Sequence, residues 1–403
     1  MKETVCRRNI FLYKWYVIFN EPLFWGPILV ITLQELGHLS LSDIFYMEAV
    51  ATGICIVLDM PAGALADIIG RKRAVVAARI LYFTSALYFA FMTTIADAWI
   101  GNVFWALGMS LQNGADSALL YDTLKECDRE DDYKRITGQA LGMRFAMMAG
   151  AALVTGWLAS ISLRLPLYAC LPFLALSLGA SLFLTEPKRS HGNDEKKKGH
   201  QVMRGAIRHV ITSPALMWMI AYAALLLTIS KIWFFTYNPY FELVKLPLAM
   251  YGVIFFLLNV TAWLTSHYAH LIEKKLGEEW CVIMQVLCMA LPILLMGAFP
   301  MMAFAYLVLI QNIVRGFLRP FMEDYIHRRV NSNIRATAQS VQSTVSNITG
   351  MVCLAIFGVC VKLLSLQYAL VVLGIAALVL GSLSYAWYRA RIRHLPEVPN
   401  GNH

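Results

Sequence analysis

Charge is what this sequence has least of. Only 15% of its 403 residues are Asp, Glu, Lys or Arg, against about 25% in a soluble globular domain. So few charges cannot coat a water-soluble particle of this size, and 59% of the residues are hydrophobic. A soluble enzyme is excluded, and so is a single anchor carrying a large soluble domain. The sequence also lacks HExxH, GxxxxGK and nucleophile-elbow patterns, so no catalytic residue, metal site or cofactor is expected. Its eight cysteines form no CxxC and no metal spacing. Most lie in apolar runs, where small packing residues are the expectation.

What is present is long apolar runs. A membrane span needs roughly 20 apolar residues, and such stretches recur at 11–36, 44–69, 74–95, 98–124, 136–162, 165–185, 211–241, 247–273, 279–298, 300–326, 335–363 and 366–388. Twelve helices are therefore expected in an all-α membrane protein. The widest polar interruption, 186–210, holds Glu186-Pro187 and Lys196-Lys197-Lys198. It predicts two six-helix bundles, 1–185 and 211–403, joined by a linker at 186–210. The first run follows Arg7 and Arg8 without a small-residue cleavage site, so it reads as a retained helix.

The net charge of +9 is not a nucleic-acid signature, because the basic residues punctuate the apolar runs instead of forming one face. Arg71-Lys72-Arg73, Lys196–Lys198, Arg328-Arg329 and Arg389/Arg391/Arg393 all fall on the side that holds both termini. Between the spans, only Arg164, Lys245 and Lys362 fall on the other. This asymmetry predicts a cell-membrane protein with cytoplasmic termini and linker. The bilayer is its expected partner, with no nucleic acid and no second subunit.

Two short patterns repeat. Gln112-Asn113-Gly114-Ala115-Asp116 resembles Gln311-Asn312-Ile313-Val314-Arg315, and Arg135-Ile136-Thr137-Gly138-Gln139 resembles Arg335-Ala336-Thr337-Ala338-Gln339. Their offsets of 199 and 200 suggest a duplicated six-helix unit. Parallel repeats of this kind place a binding site between the halves, near mid-membrane.

The loop after the second span reads Gly63-Ala64-Leu65-Ala66-Asp67-Ile68-Ile69-Gly70-Arg71-Lys72-Arg73. It resembles the hallmark G-x-L-A-D-R-x-G-R-K loop of the major facilitator superfamily, with Ile68 in place of the usual first Arg. The resemblance implies twelve helices, alternating access, and a gating role for Gly63, Leu65, Asp67, Gly70, Arg71 and Lys72. In that family the Asp meets the start of helix eleven. The corresponding second-half loop, 272–279, keeps little more than Gly277. The G-P-x-x-G-G stretch of drug–proton antiporters is absent from span five.

Charged and polar groups inside spans are functional hypotheses by default. Asp116 and Arg315 take corresponding places in the proposed repeat, each four residues from a glutamine, Gln112 or Gln311, beside Asn113 or Asn312. Lys231, Tyr237 and Asn238 add a cation, a polar aromatic and an amide on span seven. Asn20, Glu21 and Trp25 lie on span one, with Glu21 a candidate proton carrier. Asp59 is expected to pair with Arg144, and Arg79 to snorkel to the interface. Together these predict a secondary transporter of a small amphipathic organic solute, coupled to protons. Efflux as an antiporter leads, on aromatic and Met content; uptake of a small organic anion, resting on Lys231 and Arg315, is the alternative. A non-transporting sensor or a lipid-acting enzyme stands further off.

Overall fold

The computed structural model describes residues 3–113, 115–187, 210, 212–329 and 332–393. Most of the expected linker, including Lys196–Lys198, lies outside the described residues. Every regular element among those described is helical.

Among the described residues, ten helices are long and apolar enough to cross a membrane. The first and fourth expected spans fall short because each is interrupted. Helix α1 (Glu3–Ile18) ends just before Asn20-Glu21-Pro22, where proline disfavours a helical residue ahead of it. The chain resumes through a tight turn at Gly26–Ile28 into α2 (Leu29–Gly37). The fourth span is α5 (Ile95–Gln112) followed by α6 (Ala115–Lys125). Asn113, at φ −54° and ψ 116°, leaves helical geometry between them.

The remaining helices of the first half are α3 (Leu41–Ile69), α4 (Arg71–Ala90), α7 (Tyr133–Ile161) and α8 (Arg164–Leu182). Those of the second are α9 (Pro214–Leu243), α10 (Leu248–His267), α11 (Ala269–Ala298), α12 (Val308–Arg329), α13 (Ser332–Leu363) and α14 (Leu366–Trp387). Ser40 with Asp43, and Thr94 with Asp97, form capping boxes that satisfy the first amides of α3 and α5. The backbone amides and side-chain hydroxyls of Thr93 and Thr94 all donate to the Asp97 carboxyl and hold it below its ordinary value.

The described residues up to 187, with Pro247–Phe256, form one compact unit, and the rest form a second. In the first, Tyr13, Tyr16 and Val17 of α1 pack on Leu119, Leu120 and Leu124 of α6 and on Ile136 of α7. That packing brings Cys6 beside Cys127, and the two form a disulfide with Cα atoms 6.5 Å apart. The expectation that the cysteines are packing residues fails at this pair. In the second unit, fully buried Trp218 stacks on Tyr222 and donates from Nε1 to the Ser384 carbonyl at 2.9 Å.

The two units repeat at a spacing other than the one the short patterns suggest. His38 and Lys245 both close a helix at φ 56°, and Gly70 and Gly277 both break the chain at positive φ (111° and 77°). Each pair is 207 residues apart. Asn102 donates to the Met47 carbonyl in one unit and Asn312 to that of Leu258 in the other, 210 and 211 apart. On this register Arg315 corresponds to residues near 105, about three helical turns from Asp116. The Gln112–Gln311 match is therefore a coincidence of composition. The shorter connection between α12 and α13 restores an offset near 200 for α7 and α13.

Candidate functional site

A cavity of the second unit, about 790 Å³, is lined by α9, α12 and α13, with Leu258 and Met289 contributed by α10 and α11. Helix α9 is buried along most of its length and presents Lys231, Trp233, Phe234 and Tyr237 to the cavity. Helix α12 presents Gln311, Asn312 and Arg315 on one face, because residues three and four apart share a side. Asn238 is 1% exposed and does not line it.

The polar groups divide into those satisfied and those not. Asn312 donates to the Leu258 carbonyl, Gln342 to Ser346 Oγ at 2.9 Å, and Arg319 pairs with Glu323 at 3.0 Å. Gln311 is 2% exposed, yet neither its amide nitrogen nor its amide oxygen has a partner. Leaving such a group unmatched costs about 1–3 kcal/mol. Arg315 opens onto the same space, with no carboxylate in ion-pair reach among the described residues. A cation and an unmatched donor–acceptor edge one turn apart, walled by aromatics, are the chemistry that an anion with a planar polar edge would need.

The first unit gathers its polar groups differently. Arg79 does not snorkel: it is 2% exposed, donates to the Asn20 carbonyl at 3.1 Å and to the Gln112 side chain, and lies over the Tyr16 and Tyr82 rings. The break at Asn20 turns that carbonyl out of the helix ladder toward the guanidinium. Gln112 passes the contact on, donating to Asp116 at 3.1 Å across the Asn113 break. Asp59 and Arg144 do not pair. Arg144 lies 3.6 Å from Glu21, and Asp59 accepts from Asn113 at 3.2 Å. The α1 break carries Glu21 to Arg144, while the α5 break aims Asn113 at Asp59. Trp25 is buried against Phe89 and donates to Thr32 Oγ1 at 3.1 Å.

At Gly70 the chain turns sharply between α3 and α4 with φ 111°, a conformation open to glycine and costly for other residues. Arg71 reaches Asp122 and the Ala118 carbonyl, and Glu186 accepts from the Arg71 and Lys72 amides at 2.8 and 2.7 Å. At Gly63 no neighbouring helix comes close, for a Cβ there would meet nothing within 4 Å. Leu65, Asp67 and Ile68 are exposed. Sequence reasoning missed Arg79, Asp122 and Glu186. Arg79 looked like an end residue and Glu186 like the start of a linker; the acidic Asp122 near the end of span four was the one available signal.

A sequence profile of the Major Facilitator Superfamily matches residues 15–272. The chain belongs to the major facilitator superfamily. Solved transporter structures share the superfamily's fold at low identity. The nucleoside transporter NupG aligns with TM-score 0.76 at 14% identity, covering 96% of this chain and 100% of that one. A D-xylose–proton symporter gives 0.73 at 12% identity, covering 97% and 98%. A bacterial homologue of the human lysosomal transporter Spinster, inward-facing and unoccupied, gives 0.71 at 14% identity, covering 96% of each chain. No protein of curated function matches. The chain is an all-helical, multi-pass membrane protein with the superfamily's transporter fold.

Proposed function

We propose that this superfamily member is a secondary transporter of a small organic anion with an aromatic or apolar body, held in the cavity of the second unit. The observation that carries this reading is Arg315, open to the cavity with no carboxylate in ion-pair reach among the described residues, one turn from the doubly unpartnered Gln311. Arg315 takes the negative charge and Gln311 the polar edge, while Trp233, Phe234 and Tyr237 cover the body. Coupling to protons is assigned to the first unit. There Asp116 is linked through Gln112 to the buried Arg79, so protonating Asp116 releases an acceptor from the chain that orients Arg79. Both termini are proposed to be cytoplasmic, on the basic-residue asymmetry, and the working unit to be a monomer.

The test is binding, then flux. Purified protein is screened by thermal shift against aromatic carboxylates, N-acyl amino acids and nucleoside monophosphates, and hits are followed into proteoliposomes with and without a pH gradient. Arg315→Gln is expected to weaken binding about tenfold or more, the worth of a charge-assisted hydrogen bond. It is expected to leave thermal stability unchanged, because no ion pair is broken. The sign of the gradient that accelerates flux gives the direction. Neutral hits that bind Arg315→Gln as well as wild type would remove the anion from the proposal.

A further inference from the structure

A second large opening in the same unit differs in kind from the cavity above. It runs between α9, α13 and α14, encloses about 610 Å³ and has no charged residue in its lining. Three hydroxyl residues, Thr228, Thr349 and Ser384, break its apolar surface, and two of them hold buried oxygens without a partner. Thr228, in the middle of α9, is 5% exposed, and its Oγ1 has no partner. The Oγ of Ser384, near the end of α14, is likewise buried without one. Trp218 of α9 donates to the Ser384 carbonyl, so Thr228 lies ten residues along α9 from the level of Ser384. That separation is about 15 Å, half of the roughly 30 Å hydrocarbon core.

The arginines near this groove gather at one mouth, while a single lysine, Lys362, follows Cys360 at the other. Beyond Ser384 come Trp387, which lines the groove, and then Arg389 and Arg391, both exposed. The next arginine, Arg393, is committed to Glu279 at 3.1 Å. All three walls are helices long and apolar enough to span a membrane, so acyl chains are the medium around them. Basic groups and a tryptophan at the rim of such a groove mark the headgroup level.

We infer that this groove is a binding site for one anionic phospholipid in the leaflet where the C-terminus emerges. One acyl chain lies along the groove past Thr228, an ester carbonyl accepts from the Ser384 hydroxyl, and the phosphate meets Arg389 and Arg391. The transported solute does not enter here, because the groove offers it no charge within its walls. This assignment is independent of the cavity chemistry at Arg315.

Two free cysteines on α13, Cys353 and Cys360, line the groove and provide the readout. Wild-type protein is reconstituted in nanodiscs of phosphatidylcholine with or without phosphatidylglycerol, and modification of these cysteines by N-ethylmaleimide is followed by mass spectrometry. Phosphatidylglycerol is expected to slow modification of both several-fold and to leave Cys288 unaffected. Native mass spectrometry should show one phosphatidylglycerol retained in preference to phosphatidylcholine. Arg389→Gln and Arg391→Gln should each reduce that preference about fivefold, the worth of one basic residue at an anionic surface. Equal retention of the two lipids, or cysteine rates indifferent to phosphatidylglycerol, overturns the assignment. Protection by a transport substrate in place of lipid also overturns it and makes the groove part of the solute path.

Discussion

The Gly70 and Gly277 ends of the two units share a backbone and oppose each other in charge. At a constant spacing of 207 residues, Asp67 becomes Lys274, Arg71 becomes Glu278, Lys72 becomes Glu279, Asp122 becomes Arg329 and Glu186 becomes Arg393. The contacts survive the inversion. Arg71 pairs with Asp122 in one unit, and Glu278 with Arg329 at 3.3 Å in the other. Glu186 sits on the Arg71 and Lys72 amides, and Arg393 sits on Glu279. Both units keep the turn that only positive φ allows, while the signs differ and the partners differ with them.

The helix dipole makes the two solutions unequal. The first turn of α4 carries Arg71, Lys72 and Arg73 at the positive end of its dipole, an unfavourable placement. Glu186 offsets it by accepting two of the free amides. In the second unit Gly277 divides α11 into two helical segments, and Glu278 and Glu279 occupy the first turn of the second segment, where negative charge is favourable. The first unit therefore depends on its partners more than the second does.

The largest expected effect comes from breaking the sign match. Arg71→Glu places three carboxylates together and should destabilise the first unit by about 2 kcal/mol, the scale of a lost charge-assisted hydrogen bond. Adding Asp122→Arg reproduces the second unit's polarity and should restore thermal stability to wild type or above it. Failure of the double variant to recover would mean that the signs are not interchangeable. Next comes the cap: Glu186→Gln should cost about 1 kcal/mol, whereas Arg393→Gln, removing a partly exposed pair, should cost about 0.5 kcal/mol or less. Equal losses in melting experiments would refute the dipole argument.

The smallest effect concerns the opposite end of the first unit, where Asp97 caps α5. Its carboxyl is held below its ordinary value, so its contribution is fully present above the carboxylate range. That contribution is lost as pH falls through the lowered value. Acid melting of wild type should thus show a small extra loss below about pH 4 that Asp97→Asn lacks. The same slope in both proteins would leave the cap without an electrostatic role.

How far these features were legible depends on whether they are local. Apolar runs near 20 residues, the Asp67–Arg73 loop and Gly70 announce the fold directly, since each is read from contiguous residues. The breaks in spans one and four were half legible: Pro22 was visible, but Asn113 looked like any polar residue in a helix. The partners were not legible. Arg144 meets Glu21 and not Asp59 because two helix breaks re-aim the side chains, and no spacing encodes a break angle. The repeat register misled for a related reason. Gln-Asn pairs are common near helix ends, whereas the true landmarks are backbone angles at His38, Lys245, Gly70 and Gly277. In the cavity, Gln311, Asn312, Arg315, Lys231 and Tyr237 were all named by position, but the unmet amide of Gln311 is visible only once the helices are assembled.

The division of labour between the units is the central claim, with the anion at Arg315 and the proton at Asp116. Isothermal titration of one organic-anion hit against wild type, Arg315→Gln and Asp116→Asn, each across pH 5 to 8, with flux of the same hit under a pH gradient, tests it most directly. The account predicts that Arg315→Gln loses affinity about tenfold or more at every pH. Asp116→Asn should keep wild-type affinity and lose the acceleration of flux by a pH gradient. Lost discrimination is thus expected at one residue and lost coupling at the other; retained affinity in Arg315→Gln, or undiminished gradient-driven flux in Asp116→Asn, would contradict it.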